Sequence, residues 1–376
     1  MRRAIVTAAA VFLVLGTGVG FTHGRTITVD DDGPAHFNNI QAAIDDANDG
    51  DTVVVADGRY TGPGNRDIDF HGKAITVKSE NGPENCIIDC NATEHYLNRH
   101  RGFRFHSGEG ADSVVAGFTI RNGRAPMELE LYPPWGSYYV GGGIYCRSSS
   151  PTVSNCIIRD NGGGGGGGLA SEYPGSSPMI INCTFSGNNE YSVLCSNYRG
   201  SFPKIAGCTF TGNERGIYSL SGKISLSNCI LWGNGPDEIV LMNEESSAAA
   251  SYCDIRGGWP GTGNIDADPC FADPENGDYH LKSQGGRWEP NEGRWTIDDV
   301  TSLCIDAGDP MTPIGQEPFP NGGRINMGAY GGTGEASKSY FGEPVCETIV
   351  AGDVNGDCKV NFEDFRLMSL HWLEVR

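Results

Sequence analysis

The chain has 376 residues, with 47 aspartates and glutamates against 27 lysines and arginines, for a formal net charge of −20. Such acidity argues against duplex nucleic acid as a partner. Glycine supplies 55 residues, roughly twice the usual share, and the apolar content is sufficient for a core. The composition therefore excludes general disorder and indicates a folded protein with many tight backbone bends.

The amino terminus has the features of a secretory signal peptide, which we place at residues 1–24. Arg2 and Arg3 precede an apolar run from Ala4 to about Val19, and small residues follow. The run is shorter than the ~20 residues that a membrane-spanning helix needs, and no later segment is long and apolar enough. The sequence therefore predicts a secreted or cell-surface protein with no membrane span after signal removal.

A cysteine-centred phrase recurs through the middle of the chain. Five cysteines follow one another at intervals of 27, 25, 21 and 24 residues, namely Cys156, Cys183, Cys208, Cys229 and Cys253. The residue two positions after each cysteine is apolar, and the residue five positions after the first four is asparagine. A period of two at fixed phase predicts a short strand with the cysteine and the apolar residue pointing inward. One such strand per about 24 residues predicts a parallel β-helix.

Stacked strands of a β-helix place equivalent residues above one another at ~4.8 Å, which predicts a cysteine ladder and an asparagine ladder. We expect the ladder cysteines to be buried free thiols, because inward side chains in register are poorly aimed for disulfides. We expect each ladder asparagine to adopt the left-handed conformation and to hydrogen-bond its neighbours. Looser candidates for disulfides are Cys146 with Cys195 and Cys346 with Cys358.

The phrases GGGIYCRSSSPTVSNCIIRDN and GGGLASEYPGSSPMIINCTFSGN resemble right-handed parallel β-helix repeats of the secreted pectate-lyase-like superfamily. Residues 25–60 resemble the opening of that superfamily, in which a short helix, here over Ile40, Ala43 and Ile44, caps the first strands. Residues 264–330 resemble the closing segment of many bacterial β-helix proteins. The resemblance implies an all-β chain with a capped β-helix over residues 25–335, followed by a linker over residues 336–348.

The carboxyl end contains the phrase GDVNGDCKVNFEDF, with oxygen-bearing side chains at the spacing of a calcium loop. The proposed side-chain ligands are Asp353, Asn355, Asp357, Asn361 and Asp364. Lys359 would contribute its carbonyl. Residues 349–376 resemble one half of a dockerin, which implies calcium as a cofactor and a cohesin-like or cell-surface protein partner. The chain departs from that family in having Cys358 where glycine is usual and one loop where a complete dockerin has two.

The best candidate for a ligand groove lies on the outward positions of the strands. Arg121 and Arg159 are expected on neighbouring turns of the β-helix with Asp160 beside them, unless these are ordinary surface residues. The loop between the two arginines carries four aromatic residues, Tyr132, Trp135, Tyr138 and Tyr139. Aromatic faces stack on sugar rings, and arginines pair with uronate carboxylates or orient hydroxyls. This pattern favours binding of an extracellular polysaccharide.

Two classes of function fit these residues. The first is a secreted protein that binds or degrades an extracellular polysaccharide, as a lyase or a glycoside hydrolase if it is an enzyme; the second is a non-catalytic adhesion β-helix. A hydrolase needs two nearby carboxylates, but the obvious outward acids, Asp160 and Asp254, are expected roughly 14 Å apart, beyond either glycosidase geometry. The strong acidity also disfavours simple electrostatic binding of uronate polymers.

Overall fold

A computed structural model describes residues 24–128, 138–196, 201–342, 352, 354 and 360–372. It confirms the parallel β-helix, with about nine turns. We call each turn a rung and name the three parallel sheets A, B and C in the order in which a complete rung passes through them. The signal-peptide prediction falls on residues that lie almost entirely outside the described range.

The strands of each sheet are short and pair in register with the rungs above and below. Sheet A consists of Thr26–Val29, Thr52–Val55, Thr76–Ser79, Val114–Ala116, Thr152–Ser154, Met179–Ile181, Lys204–Ala206, Lys223–Ser227 and Ser247–Ser251. Sheet B consists of Gly58–Thr61, Cys86–Asp89, Thr119–Arg121, Ile157–Arg159, Thr184–Ser186, Thr209–Thr211, Ile230–Trp232 and Asp254–Ile255. Sheet C consists of Ile68–Asp69, Phe103–Phe105, Ile144–Arg147, Leu169–Glu172, Tyr191–Ser196, Arg215–Leu220 and Ile239–Leu241.

The amino-terminal end of the solenoid is covered by a helix, Ile40–Asp46, as predicted. The helix begins after Asn39, whose side chain accepts a hydrogen bond from the backbone N–H of Ala42 at 2.9 Å. Ile40, Ala43 and Ile44 are fully buried against the first strands. The helix thereby keeps water from the apolar end of the core.

The ladder cysteines lie at the bend between sheets A and B and are at most 2% exposed. The bend arises at the preceding residue, which has a positive φ in every repeat: Asn155, Asn182, Gly207, Asn228 and Tyr252. All described cysteines are free thiols, as predicted for the ladder. The proposed Cys146–Cys195 disulfide is wrong, because Ser171 lies between the two in register, which separates them by two strand spacings, roughly 10 Å. Cys346 and Cys358 lie outside the described residues.

The asparagine ladder is confirmed and is fully inside the protein. The side-chain N–H groups of Asn161, Asn188 and Asn213 donate to the side-chain oxygen of the next ladder asparagine at 3.2, 2.9 and 2.7 Å. The left-handed conformation expected of these asparagines is instead at the residue before each, for example φ 58° at Asp160 and 62° at Gly187. That residue turns the chain, so the asparagine side chain points into the core. Its amide group can then bond to the next asparagine along the solenoid axis.

A closing segment, residues 265–339, lies over the outer face of sheet B in the later rungs. The Ala329 N–H donates to the Thr209 hydroxyl at 3.0 Å, and the Asn182 amide donates to the Gly331 carbonyl at 2.8 Å. Thr209 and Ile230 point away from the solenoid core and yet are only 1% exposed. Hydrogen bonds of this segment continue to Ser339, so packed structure extends past residue 335.

Other described elements are short or lie apart from the three sheets. They are the two-stranded pairs Met127–Glu128 with Tyr138–Tyr139, Phe271–Asp273 with Asp278–Leu281 and Arg287–Glu289 with Arg294–Thr296, the 3-10 turns Tyr96–Asn98 and Pro274–Asn276, and the carboxyl-terminal helix Phe362–Trp372. In that last helix Phe362 and Phe365 are 89% and 61% exposed. Across the described ranges, no helix has the length and apolar character needed to span a membrane.

Candidate functional site

The two arginines of the proposed groove lie on adjacent rungs of sheet B. Arg159 pairs in register with Arg121, and Arg121 pairs with Asp89 on the rung before. All three are the last residues of their strands, at a position whose side chains point away from the core. The sequence-based expectation that the arginines stack is therefore confirmed, while their role in binding stays a prediction.

Asp89 anchors this row and was missed by the sequence argument. Its carboxylate is fully buried and accepts hydrogen bonds from Arg59 at 2.9 Å, Arg121 at 2.9 Å and the Asn122 amide at 3.0 Å. Burial alone would raise the pKa of Asp89, but the hydrogen bonds from Asn122, the backbone of Asn91 and the two arginines lower it below its ordinary value. Asp89 is therefore an ionised group that holds two guanidinium groups in place.

Asp160 lies at the end of the row and pairs with its neighbour in sequence. The Arg159 guanidinium donates to the Asp160 carboxylate at 2.8 Å, and the two side chains are 39% and 48% exposed. The Asp160 carbonyl accepts a hydrogen bond from Arg124 at 3.0 Å. Asp160 is thus brought together with Arg159, as predicted, and its charge is already directed at that arginine.

The aromatic loop adjoins this row through a second group of charges. Arg124 donates to the Glu94 carboxylate at 2.7 Å, and Glu94 also accepts from Arg99 at 2.9 Å. The Arg99 guanidinium lies over the Tyr139 ring at 4.3 Å. Tyr132 and Trp135 lie outside the described residues, and of Tyr138 only the backbone is described, in a short pair of strands with Met127–Glu128.

We call the surface formed by these side chains the arginine face. It consists of Arg59, Asp89, Arg121, Arg159 and Asp160, together with Glu94, Arg99, Arg124 and Tyr139.

Asp254, the second outward acid of the sequence argument, is not accessible. Its carboxylate is fully buried, accepts a hydrogen bond from the Cys304 thiol at 3.1 Å and another from the Ala267 N–H at 3.1 Å. Burial raises the pKa of Asp254 to about 6. The expectation that Asp254 points to solvent is wrong, because the closing segment covers that end of sheet B. Asp160 and Asp254 therefore cannot flank one sugar bond.

The closing segment also borders the arginine face. Tyr279 is half-buried, its hydroxyl interacts with Ser186 on the rung after Arg159, and its pKa is raised by burial. Beyond Ser186 the outward positions of sheet B are covered, whereas Arg59, Arg121 and Arg159 remain 59%, 22% and 39% exposed. The open part of sheet B is therefore its amino-terminal half, and Tyr279 marks the edge of that open surface.

A separate cavity of about 450 Å³ opens at the last rung. It is lined by the chain around Glu238, Arg256 and Trp259. Glu238 accepts hydrogen bonds from the backbone N–H of Gly233 at 2.8 Å and from the amide of Asn234, so it ends the asparagine ladder. Burial raises the pKa of Glu238 above its ordinary value. This structural role accounts for the buried carboxyl without a ligand.

The proposed calcium loop is described only in part. Asp353, Asn355, Asp357 and Lys359 lie outside the described residues. Asp364, at loop position 12, is fully buried, and its two carboxylate oxygens accept hydrogen bonds from the backbone N–H of Val354 and Asn361, both at 2.7 Å. The Asp364 carboxylate therefore joins the backbone near the start of the proposed loop to the backbone just before the final helix.

Acidic clusters elsewhere in the described residues make turns. Asp30, which is half-buried, accepts from the backbone N–H of Gly33 at 3.0 Å. With the exposed Asp31 and Asp32 it forms the only grouping of three acidic, histidine or cysteine side chains near enough to share an ion in the described ranges. In the closing segment Asp268 accepts from the Cys270 N–H at 2.9 Å. These bonds agree with turns rather than with a second calcium site there.

Comparisons with known proteins bear on the fold first. The family model for the right-handed β-helix region matches residues 53–229 and 138–257, which together span more than half of the chain. A second model, described as disaggregatase related, matches residues 235–308. No curated protein matches the chain significantly. With the nine-rung solenoid and the two ladders, the first match shows that this chain belongs to the right-handed β-helix family.

Proposed function

We propose that the protein is exported and binds an extracellular polysaccharide along the arginine face. The observation that carries this proposal is the in-register pair Arg121 and Arg159 on adjacent rungs, in which the buried Asp89 anchors Arg121 and Asp160 pairs with Arg159. Adjacent rungs are ~4.8 Å apart, so an extended polymer lying across them can meet one guanidinium group after another. Because the arginines are already oriented, little side-chain entropy is lost on binding.

The charge of this surface favours a polymer with carboxylate groups. Five arginines, Arg59, Arg99, Arg121, Arg124 and Arg159, face three carboxylates, Asp89, Glu94 and Asp160. This local excess of positive charge lies on a chain whose formal net charge is −20. Screening limits the distant acids to about a Debye length, ~8 Å at physiological salt, so the local charges dominate a contact. We therefore favour uronate polymers over neutral glycans.

Two further observations support a polysaccharide-associated role. The disaggregatase-related match over residues 235–308 is consistent with a protein that acts on or accompanies extracellular polymers. Tyr139 within the arginine face and Tyr279 at its edge offer ring surfaces to sugars. The burial of Asp254 favours binding without hydrolysis, which keeps an adhesion role as the second candidate.

The arginine face is tested by single substitutions and a uronate polymer. Arg159→Ala is expected to weaken binding of polygalacturonate about tenfold, since a charge-assisted hydrogen bond contributes roughly 1.5 to 3 kcal/mol and this side chain is part-exposed. Arg121→Ala should weaken it at least as much because Asp89 loses a partner. Titration calorimetry gives the affinities.

Arg294→Ala is the matched control, because it removes an equal charge from an exposed hairpin. This variant should bind like the wild type. Equal affinities for all variants would contradict the proposal.

We also propose that residues 349–376 bind calcium and attach the protein to a cohesin-like or cell-surface partner. The side chains are hard oxygen donors of the kind that calcium prefers, and the buried Asp364 carboxylate lies where the loop closes. Calcium would supply the positive charge that holds the loop acids together. The exposed Phe362 and Phe365 give the helix an apolar surface for a partner.

Asp353→Ala should remove calcium binding by this loop, because the first loop position supplies a direct ligand. Calorimetry should show the loss of one ion per chain, while circular dichroism shows an unchanged β-helix, since the loop lies outside the repeats. Asp299→Ala, at an exposed acid of the closing segment, is the control. Retention of the same number of ions in Asp353→Ala would refute the calcium loop.

A further inference from the structure

Three buried oxygen atoms of the closing segment have no hydrogen-bond partner. They are Asp306 Oδ1, Glu317 Oε2 and the Ser339 hydroxyl. Glu317 and Ser339 are only 7% and 2% exposed. Buried oxygens in native proteins almost always have a partner, so three in one segment point to a water molecule or an ion that supplies the missing contacts.

Asn326 shows that the three oxygens belong to one place. Its side-chain oxygen accepts from the Asp306 N–H at 2.8 Å, and its own N–H donates to Glu317 Oε1 at 2.8 Å. Its amide N–H donates to the Ser337 carbonyl at 2.8 Å, two residues before Ser339. Asn326 therefore joins the three pieces of chain that carry the unpaired oxygens.

The turn that contains Gly322 lies directly against the carboxyl group of Asp306. A side chain at Gly322 would collide with that carboxyl group, so the turn can approach it only because the residue is glycine. The Ser339 N–H donates to the Pro320 carbonyl at 2.8 Å, which holds Ser339 beside the same turn. The Ser339 hydroxyl lies near enough to the Asp306 carboxyl group to lower its pKa, although the two groups do not meet hydrogen-bond geometry. The Asp306 carboxyl group therefore lies beside the Ser339 hydroxyl and within electrostatic range of Glu317.

The pKa values of the two carboxyl groups are raised, because the positive charge nearby does not offset their burial. Burial raises the pKa of Glu317 to about 7, and the nearby charge of Asp306 adds to the rise. Burial also raises the pKa of Asp306, against the smaller opposing effects of Ser339 and Arg324. Arg324 directs its guanidinium at the carbonyls of Ala307 and Gly308.

We propose that Asp306, Glu317 and Ser339 form a second cation site, which holds calcium inside the closing segment. The unpaired groups are all oxygens and two are carboxyl groups, which is the ligand type that hard divalent ions take. Calcium accepts backbone carbonyls and water for its remaining ligands, and it tolerates irregular geometry. The ion would fasten together the segment that covers sheet B and buries Asp254.

The experiment uses the full chain in the Asp353→Ala background, so that the proposed tail loop does not contribute. Equilibrium dialysis with radioactive calcium should find one ion per chain in this background. Adding Glu317→Gln should weaken that binding at least about tenfold, since a ligand charge is lost from a buried site. Glu275→Gln, at an exposed acid of the same segment, is the matched control and should keep the ion.

A thermal readout covers the case in which Glu317→Gln fails to fold. In the Asp353→Ala background, calcium at about a hundred times its Kd should raise the Tm by roughly 3 to 5 °C over the chelated protein. Ser339→Ala should reduce this shift. No bound calcium in the background variant, or an unchanged shift in both cluster variants, would overturn the site. Neither result bears on the arginine face.

Discussion

Phe210→Ala is expected to lower the free energy of unfolding by about 3 to 5 kcal/mol. The Phe210 ring is fully buried and stacks on Phe185 with their centroids 4.8 Å apart and their planes 13° apart. The rungs above and below are fixed by backbone hydrogen bonds on three sides, so the solenoid cannot collapse into the cavity. Chemical denaturation followed by circular dichroism measures the loss.

Phe202→Ala is the matched control for this prediction. The two phenylalanines lie eight residues apart, but Phe202 is 46% exposed, so its removal should change the stability by less than about 1 kcal/mol. A loss near zero for Phe210→Ala would mean that position 210 does not face the core, and the phase of sheet B would have to be reassigned.

Asn188→Ala is expected to cost about 4 kcal/mol, because several buried groups would lose their partners at once. The Asn188 side chain accepts from the backbone N–H of Asn161 at 3.1 Å and from its amide at 3.2 Å. It donates to the Ile158 carbonyl at 2.8 Å and to the Asn213 side chain at 2.9 Å. No water can replace it in a fully buried ladder without opening the corner. Thermal or urea unfolding gives the measurement.

The neighbouring residue provides the control, since Asn189 is exposed and contributes only its backbone to the rung. Asn189→Ala should leave the stability nearly unchanged. If the two asparagine variants proved equally stable, the ladder would be dispensable and the corner would be held by the backbone alone.

The repeat made most of the fold predictable, because stacking requires the same residue type at the same phase on each rung. Cysteine recurs at one position of the repeat and asparagine recurs five residues later. The strands, the burial of these residues and the two ladders can therefore be predicted from the sequence. The position of the left-handed residue was misassigned by one, because aspartate and glycine at the preceding position (Asp160, Gly187) also satisfy a corner. The proposed Cys146–Cys195 bridge failed because spacing along the chain does not reveal that Ser171 intervenes.

The arginine face was predictable in part for the same reason. Arg121 and Arg159 share a strand phase, and Asp89 lies three residues after Cys86 at that same phase, so it could have been found. The segment that covers sheet B could not be predicted from the repeat. For example, the side chain that covers Asp254 is Cys304, which lies 50 residues further along the chain. Contacts between a repeat and an irregular segment leave no period in the sequence.

The most direct test of the account is a binding screen of the purified full chain against uronate and neutral polysaccharides, with and without calcium, that follows both binding and products. We expect saturable binding of at least one uronate polymer, with the affinity lowered in the Arg121→Ala and Arg159→Ala variants and kept in Arg294→Ala. Unsaturated or reducing ends appearing with time would add catalysis to binding. Absence of binding across the panel, or binding unaffected by both arginine substitutions, would contradict the role of the arginine face.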